Sequence, residues 1–129
     1  MLREFLRLAV YVPVDEASAG SGLAVASAIA VQEILRVFSE FEFAGSVGTY
    51  RAVAEISSGA ETFVPTDDSV PVHGVASIAS TVPSARLVTY IPADTPGKDV
   101  DRMISELVSA HRWEHPVIEV DRVSLWMPS

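Results

Sequence analysis

Apolar positions alternate over residues 8–12, where Leu8, Val10 and Val12 share one side of an extended chain. They alternate again over 87–91, where Leu87, Thr89 and Ile91 do the same. The two segments echo each other. Residues 7–15 read RLAVYVPVD and residues 86–94 read RLVTYIPAD, with arginine, leucine, tyrosine, proline and aspartate at the same offsets. Each is read as a half-buried strand that ends at its proline.

A helical period follows both strands. In the first, Val31, Ile34, Leu35, Phe38 and Phe41 gather on one side, with Gln32, Glu33, Arg36, Ser39 and Glu40 elsewhere. The preceding GSGLAVASAIA is apolar nearly all round and reads as a partly buried helical extension. In the second, Val100, Met103, Ile104, Leu107, Val108 and His111 share a face, and Thr95 with Pro96 supplies a cap and first turn.

Between these units, residues 50–57 (YRAVAEIS) alternate like a strand. Ser58 and Gly59 read as a turn, and ETFVP as a short returning strand. Residues 65–74 read as a loop whose Asp67 and Asp68 form a solvated turn. The last strand, about 117–126, carries Ile118 and Val120 in one phase and Val123 and Leu125 in the other, which predicts a bulge near Asp121 and Arg122.

The resulting order, β-α-β-β-α-β with a small extra hairpin, predicts an α+β, ferredoxin-like sandwich: one antiparallel sheet covered by two helices on one face. The first and third strands are pseudo-equivalent in that plan, which is where the echo falls. Residues 1–129 form a single domain with an enlarged first helical region at 15–44. Tyr11, Val88 and Tyr90 fall on the sheet's uncovered face, so self-association is expected.

Composition narrows the chemistry. The 129 residues are 49% hydrophobic and 20% charged, as in an ordinary globular domain. With no cysteine, disulfides, thiolate metal sites and cysteine nucleophiles are excluded. Nine basic against seventeen acidic residues give a net charge of −8, and Lys98 is the sole lysine, so nucleic acid is an unfavoured partner. The opening MLREFLRLAVYVPVDE lacks a small-residue cleavage site, and LAVASAIAV is too short to span a bilayer. The expectation is a cytoplasmic protein with no membrane partner.

An ordered set of short motifs carries a family resemblance. GSVGTY (45–50), TFVP (62–65), PVHG (71–74), RLVTYIP (86–92) and AHRWEHPVIEV (110–120) succeed one another as in the CutA-like insert domain of the YqfO-type dinuclear-metal proteins, and more distantly CutA itself. The resemblance implies a fold of the type shared with PII signalling proteins, assembled as a trimer, with the histidine-aromatic-glutamate motif close to subunit clefts. On that basis Gly45, Gly48 and Tyr50 match the glycine-tyrosine segment, Gly74 the loop glycine, and His111, Trp113 and Glu114 the final motif. Ser84 and Val88 flank Arg86 where the family often has acidic residues, and His115 stands where a second glutamate often follows. The cleft set implied is Gly45, Gly48, Tyr50, His73, Arg86 and Trp113.

His111, Glu114 and His115 form the candidate metal site, with ligand types suited to Zn²⁺ or Cu²⁺. Pro116 biases His115 away from helical geometry, and His111 lies in an apolar stripe, so a structural corner competes with that reading. GSGLA (20–24) and GSVG (45–48) lack a full phosphate-loop pattern, though GSVG could offer backbone N–H groups to an anion. No Gly-x-Ser-x-Gly elbow is present. The sequence therefore points to a non-enzymatic trimeric module that senses a small ligand through inter-subunit clefts. A divalent-metal-binding protein using His111, Glu114 and His115 is the first alternative, and a small cleft hydrolase the second.

Overall fold

The computed structural model describes residues 1–67, 74–113 and 116–128. Four strands, β1 (Leu2–Pro13), β2 (Glu55–Phe63), β3 (Ser80–Pro92) and β4 (Ile118–Trp126), form one antiparallel sheet in the order β2-β3-β1-β4. Helices α1 (Gly22–Val25) and α2 (Ile29–Glu40) separate β1 from β2, and α3 (Gly97–Ala110) separates β3 from β4. This is the predicted α+β, ferredoxin-like arrangement.

Strand alternation decides which side is dry. Leu8, Val10 and Val12 of β1 and Ala85, Leu87 and Ile91 of β3 join one core with Val31, Ile34, Val37 and Phe38 of α2 and Val100, Met103 and Leu107 of α3. The opposite-phase residues Phe5, Ala9 and Val88 belong to the other face and lie outside that core, so both helices cover the same face. Val37 is sealed although the predicted stripe omits it, and Val108, which the stripe of α3 includes, is exposed.

The first helical region is interrupted rather than continuous. Asp15 caps a single 3-10 turn (Glu16–Ser18) by accepting the Ser18 N–H, and Ser21 caps α1 by accepting from Ala24. After Val25 the chain breaks. Gln32 Nε2 donates back to the Ala26 carbonyl, and Ala28 turns extended before α2 begins. Gly22 allows α1 to lie against β2, since a Cβ there would stand 2.8 Å from the Ile56 carbonyl oxygen. In the second crossover, Pro96 rather than Thr95 takes the cap position, one residue later than expected.

Two strand predictions are corrected. Ser58 and Gly59 do not turn: β2 runs straight through them, pairing one-to-one with β3 from Glu55↔Val88 to Phe63↔Ser80, so the small extra hairpin does not form and ETF continues the strand. The reason is the length of β3, whose 13 residues supply a partner all along β2, while Gly59 takes no left-handed geometry. The bulge in β4 is also absent, because pairing with β1 is regular from Leu2↔Trp126 to Val10↔Ile118. The apolar phase changes for another reason: Ile118 and Val120 lie on the helix side, opposite Val10 and Leu8, whereas Val123 lies on the other face opposite the buried Phe5.

β2 leaves β3 after Val88, and the segment 41–54 takes its place. Gly45 N–H donates to the Tyr90 carbonyl at 2.9 Å, and Thr89 Oγ1 donates to the Val53 carbonyl at 2.8 Å. Val47 and Tyr50 exchange two backbone hydrogen bonds of 2.9 Å around Gly48 and Thr49, a two-residue turn with glycine in the left-handed position. Gly45 is left-handed too, and a Cβ on it would stand 2.5 Å from both Val53 N and O. The two glycines therefore differ in what they tolerate. Gly45→Ala is expected to lower stability by about 3 kcal/mol or more, combining backbone strain with a clash. Gly48→Ala, which meets nothing within 4 Å, should cost about 1 kcal/mol. Urea unfolding of both variants checks the ranking.

Candidate functional site

The predicted site residues separate into two groups. Register brings the two echoed segments together in an antiparallel ladder with Ala9↔Val88 at its centre, Arg7↔Tyr90 to one side and Tyr11↔Arg86 to the other. Each tyrosine thus stands opposite the arginine of the other copy, on the face without helices. Ala9 and Val88 between them are only 2% and 7% exposed, although no helix among the described residues covers them. The flanking long side chains shield this centre within a single chain.

At one side of that centre, Arg86 Nε–H donates to Tyr11 Oη at 3.1 Å, with the guanidinium 5.8 Å from the tyrosine ring centroid. Tyr11 Oη–H in turn donates to Glu119 Oε1 at 3.0 Å. At the other side, Arg7 pairs with Asp121 at 2.7 Å, and that hydrogen bond, followed by the carboxylate charge, raises the guanidinium above its ordinary value. The carboxylates lie on the edge strand β4 and the arginines on the central strands. A grid of charge-assisted bonds therefore crosses the open face.

Tyr11 also links this face to the final motif. α3 ends at Ala110, and His111 becomes its extended C-cap. The His111 ring, 9% exposed, places Nε2 against the Tyr11 carbonyl oxygen, and its Nδ1 accepts the Trp113 N–H at 3.1 Å. Only the tautomer protonated on Nε2 satisfies both contacts. Trp113 stands beside it with ring centroids 5.4 Å apart. Arg112 points the other way, to Glu33 of α2 at 3.1 Å. His111 is therefore a buried joint between α3 and β1, with both ring nitrogens engaged by backbone. Glu114 and His115, the other members of the candidate metal set, lie outside the described residues, as does His73. Among the described residues no group of three or more histidine, aspartate or glutamate side chains is arranged to hold a metal ion.

The glycine-tyrosine segment lies elsewhere, beside the last part of β3. Tyr50 is exposed. Gly48 and Ser46 form the rim of a cleft of about 590 Å³ at the end of the open face, floored by the buried Phe5. The structure thus joins Arg86 with His111 and Trp113 through Tyr11, and sets Gly45, Gly48 and Tyr50 apart from them. Tyr11 and Glu119 were not singled out as site residues from sequence. The echo carried the signal for Tyr11, since antiparallel pairing of two copies must oppose each tyrosine to an arginine.

Among known proteins, no family model matches the chain, and no curated protein does. Of solved structures, the chain is similar to a Bacillus cereus protein related to NIF3, with a TM-score of 0.65 and 23% identity over 95% of this chain and 26% of that one. At this identity the likeness is one of fold. The chain spans about a quarter of that protein's length. Among the described residues, no helix is long and apolar enough to cross a membrane.

The buried joint makes stability depend on pH. Burial pushes the His111 imidazole below its ordinary value, against the opposing effect of its bond to the Tyr11 carbonyl. The unfolded chain takes up a proton at this ring near pH 6.5, whereas the native state resists until lower pH. Its contribution is thus complete above about pH 6.5 and falls as pH drops through and below that value, by at most about 1.4 kcal/mol per pH unit. Urea unfolding at pH 7.5 and 5.5 should show wild type losing more stability than His111→Gln, in which the group cannot titrate and carboxylate effects cancel. Equal losses would contradict the joint.

Proposed function

We propose that the chain is a non-enzymatic module of the CutA and PII type, which assembles as a trimer through its open sheet face and senses a small ligand at clefts beside that face. The observation that carries this reading is the outer face itself. It is a side of the sheet free of helices among the described residues, where two echoed segments and β4 form a pre-bonded grid of Tyr11, Arg86, Glu119, Arg7 and Asp121 around Ala9 and Val88. Such a face offers aromatic and arginine side chains already fixed by neighbours, so little side-chain entropy is lost when a second surface packs on them. The fold shared with part of the NIF3-related protein and the ordered CutA-like motifs support the same reading.

Light scattering on the purified chain tests the assembly. The expected mass is three times 13.8 kDa at micromolar concentration. Tyr90→Glu, whose carboxylate would face Arg7 across the ladder, is tolerated by one chain but places an extra charge in the packed face. That variant should be monomeric, with an unchanged far-ultraviolet circular dichroism spectrum. A monomeric wild type would overturn the assembly.

A further inference from the structure

The two echoed segments each end in an aspartate, and the fold uses only one of them. Asp15 accepts the Ser18 N–H and caps the turn after β1. Its counterpart Asp94 is no cap: α3 starts from Pro96 without a side-chain cap, and the turn before it is closed by the Thr95 N–H donating to the Pro92 carbonyl. The β1–β3 ladder continues one step past its last pair, Phe5↔Pro92, through the Ala93 N–H bond to the Glu4 carbonyl at 3.1 Å. Ala93 and Asp94 then form the turn after β3, which brings Asp94 to the same end of the sheet as Arg3. These two charges border the same cleft, yet no ion pair joins them among the described residues. Among the described residues Arg3 reaches only the Met1 sulfur, at 3.6 Å.

The other arginines of this face are matched within the chain, Arg7 by Asp121 and Arg86 by Tyr11. Glu4 also borders the cleft, but its carboxylate is turned to the helix side, where it accepts from Ser124 Oγ. The cleft thus presents one guanidinium and one carboxylate without an ion-pair partner among the described residues, Arg3 on β1 and Asp94 in the turn after β3. Between and beside them lie Phe5, Pro92 and Met127, with Gly48 leaving the rim free of a side chain.

We propose that this cleft, on the small-ligand reading above, binds a free α-amino acid with an apolar side chain. Arg3 takes the ligand's carboxylate, whose two oxygens suit the guanidinium fork. Asp94 takes its ammonium, and the side chain lies on Phe5, Pro92 and Met127. A ligand with both charges a short distance apart satisfies both groups at once, whereas a simple anion or cation leaves one of them facing a like charge.

The test is a ¹H–¹⁵N NMR titration of the full chain with L-phenylalanine, N-acetyl-L-phenylalanine and L-phenylalaninamide, the last two each lacking one charge. L-Phenylalanine is expected to bind at about millimolar strength or tighter, shifting the amides of Gly48, Ala93 and Asp94. Both derivatives, and the exposed variants Arg3→Gln and Asp94→Asn with the free amino acid, should bind about tenfold more weakly or worse. Absence of saturable binding, shifts confined to other surfaces, or equal affinity for a derivative or in either variant would overturn the site. Light scattering on the same samples separates the two readings. A monomer that binds L-phenylalanine removes the assembly and keeps the site, and a trimer that ignores it does the reverse.

Discussion

The antiparallel pairing of β1 with β3 is the constraint on which the rest depends. Nine consecutive pairs, from Phe5↔Pro92 to Pro13↔Ser84, lock the two echoed segments face to face. Because strand side chains alternate, this single register assigns every residue of both central strands to a side at once. A slip of one position would turn one of the two strands over, putting either Leu8 and Val10 or Leu87 into solvent and that strand's arginine beneath the helices. The cost of burying a guanidinium group without a partner is several kcal/mol by general estimates, so the register is strongly specified.

From that register the two faces acquire different work. The helix side is a conventional apolar core whose pieces come from both crossovers. The open side is polar at its margins and apolar at its centre, and its order comes from cross-strand bonds rather than from burial under a second layer. Tyr11 belongs to both systems. Its hydroxyl sits between Arg86 and Glu119 on the open side, while its backbone carbonyl meets the His111 ring at the end of α3. Movement of the α3 corner is therefore mechanically tied to the face on which assembly is proposed, through one residue of a central strand.

The sequence yielded the architecture because its signals were periodic and long. The alternation in β1 and β3 and the stripes of α2 and α3 are local properties, and the core they predict is the one that forms. What failed depended on partners that no local window contains. Ser58 and Gly59 have turn chemistry, but β3 offers them hydrogen-bonding partners on its far end, and the strand continues. The phase change in β4 resembles a bulge until its neighbour is known; Val123 then proves to be placed for Phe5 across the open face. The site was legible in part. His111 is buried as the stripe implies, but as the extended residue that caps α3 rather than as part of the helix, and its engagement by Tyr11 and Trp113 through both nitrogens depends on where β1 lies beside the helix end. Arg3 and Asp94 gave no signal of their own, since an arginine and an aspartate far apart in sequence come to border one cleft only through the fold.

The echo also shows why near-repetition is useful to a small domain. Two strands with the same pattern, paired antiparallel, produce a surface with local two-fold character, in which each tyrosine stands opposite an arginine. The surrounding elements then break that symmetry. β4 lies along β1 only, so Asp121 and Glu119 serve one edge. The 41–54 segment lies along β3 only, so Gly45 and Gly48 serve the other. The turn after β1 uses its aspartate as a cap, while the turn after β3 does not. Stability requires the repeated part, since it sets the register. The parts that differ, at the two ends of the ladder, are where side chains are left uncommitted and where binding chemistry can be built at little cost to the fold.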